Sequence, residues 1–210
     1  FRIADILKES VFDKFLKQYL AQRMLDTTER DLPSSGSTTQ VSIIDKSGNA
    51  ASVTTTNGAG CGYLIPEMGI MLNNMLGEED LNPSDFHNFV KQQRLPTMIS
   101  PSLVMGNDGP ELVVGSGGSN RIRSAILQVI LNYFMKGMNL EEAISSPRIH
   151  LEGNIFHCEP GIKVPGSNEL PNGVQIHKWD EQNLFFGGVN AVTPTEAVGD
   201  MRRGGTGIVC

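Results

Sequence analysis

The sequence predicts an α+β protein built of stacked helical and β layers. Three observations lead there. Residues 41–56 carry the alternation and β-branched richness of a hairpin, residues 122–134 repeat apolar side chains at helical spacing, and the order along the chain is strands, then helices, then strands. That order favours segregated layers over a doubly wound sheet, in which strands and helices alternate.

Each element has its own warrant. Ile3, Leu7, Val11 and Phe15 recur at intervals of four, with Phe12, Leu16, Tyr19 and Leu20 beside them, so residues 1–25 read as an amphipathic helix. Residues 32–38 are a Ser/Gly loop. The hairpin places Val41, Ile43, Ala51 and Val53 in alternating arms around Asp45-Lys46-Ser47-Gly48-Asn49. Residues 57–62 contain three glycines and read as a turn, residues 67–76 as a compact apolar stretch, and residues 77–96 as polar chain. Strands are expected at 102–105 and 111–115, joined by Gly106-Asn107-Asp108-Gly109. The second runs into the turn Gly115-Ser116-Gly117-Gly118-Ser119-Asn120. Ile122, Ala125, Ile126, Val129, Ile130, Tyr133 and Phe134 then form a helix that Gly137 ends. Asn139 and Glu142 cap a shorter helix that Pro147 limits. Short strands are expected at 154–158, 173–178, 184–190 and 206–210.

Composition excludes several classes. With 17 basic and 23 acidic residues the net charge is −6, which disfavours nucleic acid as a partner. No apolar run approaches the roughly 18 residues that a bilayer span requires. Cys61, Cys158 and Cys210 are scattered, without the spacing of a zinc site or a disulfide framework. His87, His150, His157 and His177 show no ligand spacing, and no cofactor is expected. The chain opens at Phe1 inside a helical pattern with no Met, so a longer precursor is expected and the compartment stays open.

Three segments carry candidate chemistry. Thr38 follows the exposed run Pro33-Ser34-Ser35-Gly36-Ser37 and opens a strand. Cleavage of the Ser37–Thr38 bond would give one residue both a hydroxyl nucleophile and an α-amine base; the plainer reading is a surface threonine at a strand start. The glycine-rich turn 115–120 would aim backbone N–H groups outward at a helix N-terminus, as an oxyanion hole does. It also reads as a tight turn alone, and a phosphate site is disfavoured because neither GxGxxG nor GK[ST] is present. Glu78-Glu79-Asp80 could hold an ammonium group or form a solvated acidic loop.

Taken in order, these segments resemble the γ-glutamyltranspeptidase family. The matching motifs are Thr38-Thr39-Gln40, Val53-Thr54-Thr55-Thr56-Asn57, Gly69-Ile70-Met71-Leu72-Asn73-Asn74, Ser100-Pro101, Gly115-Ser116-Gly117-Gly118 before Arg121-Ile122, and Gly199-Asp200-Met201-Arg202-Arg203-Gly204-Gly205. The resemblance implies a four-layer αββα sandwich of the N-terminal-nucleophile hydrolase type. It implies a division into residues 1–37, the end of a large-subunit segment with its cleavable linker, and residues 38–210, a small-subunit catalytic region. The implied activity is γ-glutamyl transfer to an acceptor amine, or hydrolysis of γ-glutamyl amides such as glutathione, after autocleavage at Ser37–Thr38. The implied partner is the rest of the large subunit, whose substrate-gripping Arg is not in this chain.

Carried over by position, Thr38 is the nucleophile and Thr56 supports its amine. Asn57 contacts the substrate carboxylate, Glu78 (or Glu79, one residue on) pairs with the α-ammonium, and Thr97 binds the α-carboxylate. Gly118 and Ser119 supply the oxyanion amides, with Gly117 and Gly118 as the alternative pair. The sequence departs from the family at Gln40, where His is usual, at Met98, where a second Ser is usual, and at Ser119, where Gly is usual. The loop after Glu79 is short, so a lid is not expected. Two alternative expectations are a glutaryl or β-lactam-precursor acylase with the same nucleophile, and an uncleaved, inactive family member.

Overall fold

The computed structural model describes residues 38–210 apart from 79–80, 83–85, 87, 89–90, 165 and 167–169. The helix expected over 1–25, the linker before Thr38, and Glu79 lie outside the described residues. Among those described, no helix is long and apolar enough to cross a membrane.

The hairpin forms as expected. Strand β1 (Thr38–Ile44) pairs antiparallel with β2 (Ala50–Thr56), setting Thr38 opposite Thr56 at the open end. Asp45 closes the other end, its Oδ1 accepting from the backbone N–H groups of Ser47 and Asn49, both at 2.8 Å. Residues 64–77 differ from the compact apolar stretch expected. They form a short pair, β3 (Leu64–Ile65) with β4 (Ile70–Met71), and a 3₁₀ turn at Met75–Gly77; Met68, Ile70, Leu72 and Leu76 are exposed.

Strand β5 (Ser102–Met105) pairs with β6 (Pro110–Gly117). Strand β6 therefore runs two residues beyond the expected end, and the turn into the helix shrinks to Gly118-Ser119-Asn120. Helix α1 (Arg121–Lys136) ends with Gly137 in the left-handed conformation, at φ 68°. Helix α2 (Leu140–Ser145) begins with the expected capping box of Asn139 and Glu142.

Strands β7 (Ile149–Glu152), β8 (Ile155–Cys158) and β9 (Gln175–Lys178) make a three-stranded sheet. The strand expected over 184–190 is a 3₁₀ turn at Leu184–Phe186 followed by β10 (Gly188–Val192); the break falls at Gly187, φ 80°. Strand β11 (Ala197–Gly199) pairs with β10, and residues 206–210, expected as a strand, are irregular.

The layers follow from the two faces of the central sheet, ordered β11-β10-β6-β5. Leu112, Val114, Val189 and Ala191 pack against Ile122, Ala125, Ile126 and Val129 of α1 and Leu140, Ala143 and Ile144 of α2, forming the buried core. The opposite face meets the β1–β2 hairpin. On the hairpin's far side Val41, Ile43 and Val53 are exposed.

Candidate active site

Thr38 is held by its neighbours on two elements. Across the hairpin, its Oγ1 lies 3.0 Å from Thr56 Oγ1. Thr56 Oγ1 also accepts from the Gly58 N–H at 3.0 Å, which leaves its own proton available to Thr38. The resemblance led to an expectation that Thr56 supports the Thr38 amine; the bond formed here joins the two hydroxyls. Beneath Thr38 lies Gly117, where a Cβ would stand 2.8 Å from the Thr38 carbonyl oxygen. Only a residue without a side chain lets the end of β6 approach this closely.

Gln40 fixes the hairpin above the sheet. It is buried, its Nε2 lies 2.9 Å from Ser42 Oγ and 3.0 Å from Ser52 Oγ, and its Oε1 accepts from Thr54. Ser42 and Ser52 donate in turn to the carbonyls of Asn190 and Val114, at 2.9 and 3.1 Å. Asn190 Nδ2 donates to the Gln40 carbonyl at 3.0 Å. Gly115 leaves room for the Gln40 amide. This seam is polar throughout, so each group needs its partner and the register is specified.

The amide turn follows directly. Gly118 has φ +135° and Ser119 φ +51°, a left-handed conformation that is unusual for a residue with a side chain. Gly118 abuts Gly187, where a Cβ on Gly118 would come within 2.7 Å of the Gly187 Cα. Among the described residues the N–H groups of Gly118 and Ser119 have no hydrogen-bond acceptor, while their carbonyls accept from Arg121 and Ile122. Two such donors at a helix start form a ready site for negative charge. Ser119 Oγ points to Met98 Sδ at 4.0 Å, so two of the departures from the family pattern touch each other.

The other expected residues fall around this centre. Asn57 is exposed, its Nδ2 lying 3.5 Å from the Met71 carbonyl. Glu78 reaches the loop after Asn57, its Oε1 accepting from the Ala59 N–H at 3.1 Å beside Asn74 Oδ1 at 2.8 Å. Thr97 is exposed and its Oγ1 accepts from the Ile99 N–H at 3.2 Å. The structure thus joins Thr38, Thr56 and Gly117 directly, with Gly118 and Ser119 next along the chain. Glu78 is linked through the 58–60 loop, and Thr97 through Met98.

Local reading of the sequence missed two clusters. Arg148, Glu159, Asp200 and Arg202 form a buried network. Arg148 Nη2 stands 2.6 Å from Asp200 Oδ2, and Arg202 Nη2 2.5 Å from Glu159 Oε2. Burial lowers the Arg148 pKa despite Asp200; burial also opposes the charge on Arg202, but Glu159 and Asp200 together outweigh it and raise its pKa. The network ties the segment 200–203 to Phe186 and Gly187, and so backs the amide turn. The second cluster aligns His150, His157 and His177 in one row across β7, β8 and β9. The rings of His157, Trp179 and Phe185 pack together. Burial, with His177 alongside, pushes the His157 pKa down to about 4. The row does not form a metal site: no group of three His, Cys, Asp or Glu among the described residues could hold an ion.

The family model described as gamma-glutamyltranspeptidase matches residues 2–210. A glutathione hydrolase proenzyme of Bacillus subtilis is 31% identical over 82% of this chain, and an acylase ACY 1 proenzyme of a Pseudomonas species is 30% identical over 75% of it. The chain spans 31% and 28% of the lengths of these two relatives. A solved γ-glutamyltranspeptidase from Pseudomonas nitroreducens, complexed with L-DON, superposes with a TM-score of 0.68 and 26% identity. That match covers 82% of this chain and 99% of the solved one. The fold is the α+β type of the N-terminal-nucleophile hydrolases, as expected.

Proposed function

The chain belongs to the γ-glutamyltranspeptidase family, and we propose that it carries the nucleophile of an enzyme that cleaves γ-glutamyl amides such as glutathione. The observation that carries this is the seating of Thr38: first residue of β1, hydrogen-bonded to Thr56, with the end of β6 against its carbonyl.

The chemistry follows in two stages. First, Thr38 Oγ1 attacks the Ser37 carbonyl, and the peptide link moves from the Thr38 nitrogen to its oxygen. Water then hydrolyses that ester, freeing a Ser37 carboxylate and the Thr38 α-amine. A free α-amine has a pKa of about 7.7–8.0, so near neutral pH a usable fraction is unprotonated and can act as base. In the second stage the amine takes the hydroxyl proton as Oγ1 attacks the γ-carbonyl of the substrate. Negative charge on that carbonyl oxygen falls to the N–H groups of Gly118 and Ser119, each such donor contributing roughly 3 kcal/mol in enzymes of this kind. The departing amine takes the proton, leaving a γ-glutamyl ester on Thr38. Water or an acceptor amine then attacks the ester and restores the hydroxyl. Glu78 meets the α-ammonium; Asn57 and Thr97 meet the α-carboxylate. The remainder of the large subunit supplies the other wall.

Thr38→Ala tests this reading. The wild-type protein, made as its full precursor, should resolve into two fragments whose second begins at Thr38, and should release p-nitroaniline from γ-glutamyl-p-nitroanilide. The variant should stay uncut and lose at least about 10³-fold in rate. An uncut wild type that hydrolyses the anilide at full rate would rule the mechanism out; an uncut and inactive wild type would point to a binding or structural member of the family. The acylase reading keeps one supporting observation, the similarity to the Pseudomonas acylase. Glu78 weighs against it, because a glutaryl group has no ammonium for that carboxylate to meet. A preference for the glutaryl over the γ-glutamyl anilide would reverse the choice.

A further inference from the structure

Helix α1 begins in an unusual way. Asn120 occupies the cap position, where an asparagine normally turns its side chain back onto the helix amides and stabilises the helix. Here it does not. Its backbone is helical, φ −55° and ψ −25°, rather than extended, and its side chain makes no bond to the helix. Instead Asn120 Nδ2 donates to Glu152 Oε1 on β7, at 3.2 Å. Its Oδ1 is buried without a hydrogen-bond partner among the described residues. A cap has been given up and a polar atom left unpaired immediately beside the amide turn, a combination expected where something other than stability is being held.

The same carboxylate oxygen receives the next residue. Arg121 Nη1 stands 3.4 Å from Glu152 Oε1. The rest of the guanidinium spans to the other wall of the turn, with Nε donating to the Phe185 carbonyl at 3.0 Å and Cζ 4.5 Å from the centre of the Phe185 ring. Phe185 leads through Phe186 into Gly187, the residue packed on Gly118. Glu152 therefore grips both residues that follow the Gly118–Ser119 pair, and through Arg121 it reaches the segment that backs that pair.

We propose that Glu152 is a positioning residue for the Gly118–Ser119 amides: by drawing Asn120 off the helix cap and Arg121 onto Phe185, it holds the turn in the conformation that aims both N–H groups at the carbonyl attacked by Thr38. The inference rests on the reading of that turn as the oxyanion site. Without Glu152 the Asn120 side chain returns to the helix amides. Capping requires extended backbone at residue 120, and the peptide planes on either side of Ser119 rotate with it.

The test is a pair of variants in the full precursor, assayed with γ-glutamyl-p-nitroanilide after cleavage at Thr38 has been verified by N-terminal sequencing. Glu152→Ala should lower kcat ~30–100-fold with KM within about threefold, because donors aimed at developing charge act on the transition state rather than on ground-state binding. Adding Asn120→Ala to it should restore kcat at least ~5-fold, since the competing cap is then gone. Glu152→Gln, which still accepts both bonds but without charge, should fall between Glu152→Ala and wild type, and it is the variant to read if the alanine protein does not fold. A kcat within twofold of wild type in the cleaved Glu152→Ala protein would overturn the proposal. So would a loss that the second substitution leaves unrelieved, or equal loss through KM. If the wild type itself never exposes Thr38, the parent reading falls and this one with it. If the wild type is active and Glu152→Ala matches it, the positioning role alone falls.

Discussion

The two faces of strand β6 are built on opposite principles. Toward the helices, Leu112 and Val114 enter a core of apolar side chains around α1 and α2. Toward the hairpin, Gly115 and Gly117 are bare and the groups they meet are Gln40 and Thr38. The apolar face supplies free energy by removing area from water, and it tolerates modest reshaping. Beyond Val113, which is also fully buried, the glycine face removes little apolar area. Its value is distance, because it sets backbone against backbone and fixes where the Thr38 hydroxyl stands. One strand thus separates the residues that pack the core from those that seat Thr38, the nucleophile proposed above.

The largest expected effect comes from disturbing the glycine face. In Gly117→Ala the new methyl would stand 2.8 Å from the Thr38 carbonyl oxygen and 3.3 Å from its Cβ, so β1 must move. Misplacement near 1 Å costs on the order of 10²-fold in rate. Cleavage at Thr38 and anilide hydrolysis should therefore both fall about 100-fold. Unfolding free energy should drop by only ~1–3 kcal/mol, the usual cost of overpacking. A variant that processes and turns over normally would show that the close approach is incidental.

How far the sequence revealed these two faces depended on whether the cause was local. The hairpin was legible, because alternation and the Asp45 turn mark it from nearby residues; the link between Thr38 and Thr56 came from the resemblance alone. The boundaries of α1 and α2 were legible for the same reason, through Gly137 and the Asn139 box. The extension of β6 through Gly117 was not. Glycine disfavours strands, and only Thr38, brought in from the far arm of the hairpin, explains why Gly117 is needed there. The start of β10 at Gly188 and the irregular tail are likewise set by what packs on them. At the site, the resemblance named residues that the fold brings together, Thr38, Thr56 and Gly117 among them. Glu152 was not legible, since it meets Asn120 and Arg121 only after two helices have turned back toward the turn. The row of three histidines was invisible because register across β7, β8 and β9 creates it, not spacing.

The reverse experiment disturbs the apolar face. Leu112 is fully buried against the helices, and truncation to alanine should cost ~2–5 kcal/mol of stability, depending on how far the core relaxes. The cleaved, folded fraction should keep its rate constant within about twofold, because nothing between Leu112 and Thr38 needs to move. Chemical denaturation alongside kcat per active site separates the two quantities. If Leu112→Ala lost rate in proportion to stability, the division of labour across β6 would not hold.

The smallest effect concerns the histidine row, which touches neither face of β6. His157 accepts from Trp179 Nε1 at 3.3 Å, as a neutral imidazole does. Burial pushes its pKa down to about 4; His177 and Arg121 push the same way, and Glu152 opposes them. The unfolded chain has the ordinary value, near 6.5, so between about 6.5 and 4 it binds more protons than the native state. Stability should therefore fall as pH drops through that window, and below pH 4 this group adds nothing further. A displacement of about 2.5 pH units would correspond to ~3 kcal/mol at full strength, but the ring is only half-buried and solvent screening reduces this to the order of 1 kcal/mol. Glu152 shares this field, since His150 and His157 are among the charges acting on it. Burial alone would raise its pKa, yet Arg121 and the Asn120 bond keep it below the ordinary value, so its contribution is lost only at still lower pH. His157→Gln retains an acceptor for Trp179 and removes the titration. Urea unfolding at pH 7.5 and pH 5 should show the wild type losing several tenths of a kcal/mol more than the variant. Identical losses would mean that His157 is protonated in the folded protein as readily as in the unfolded one.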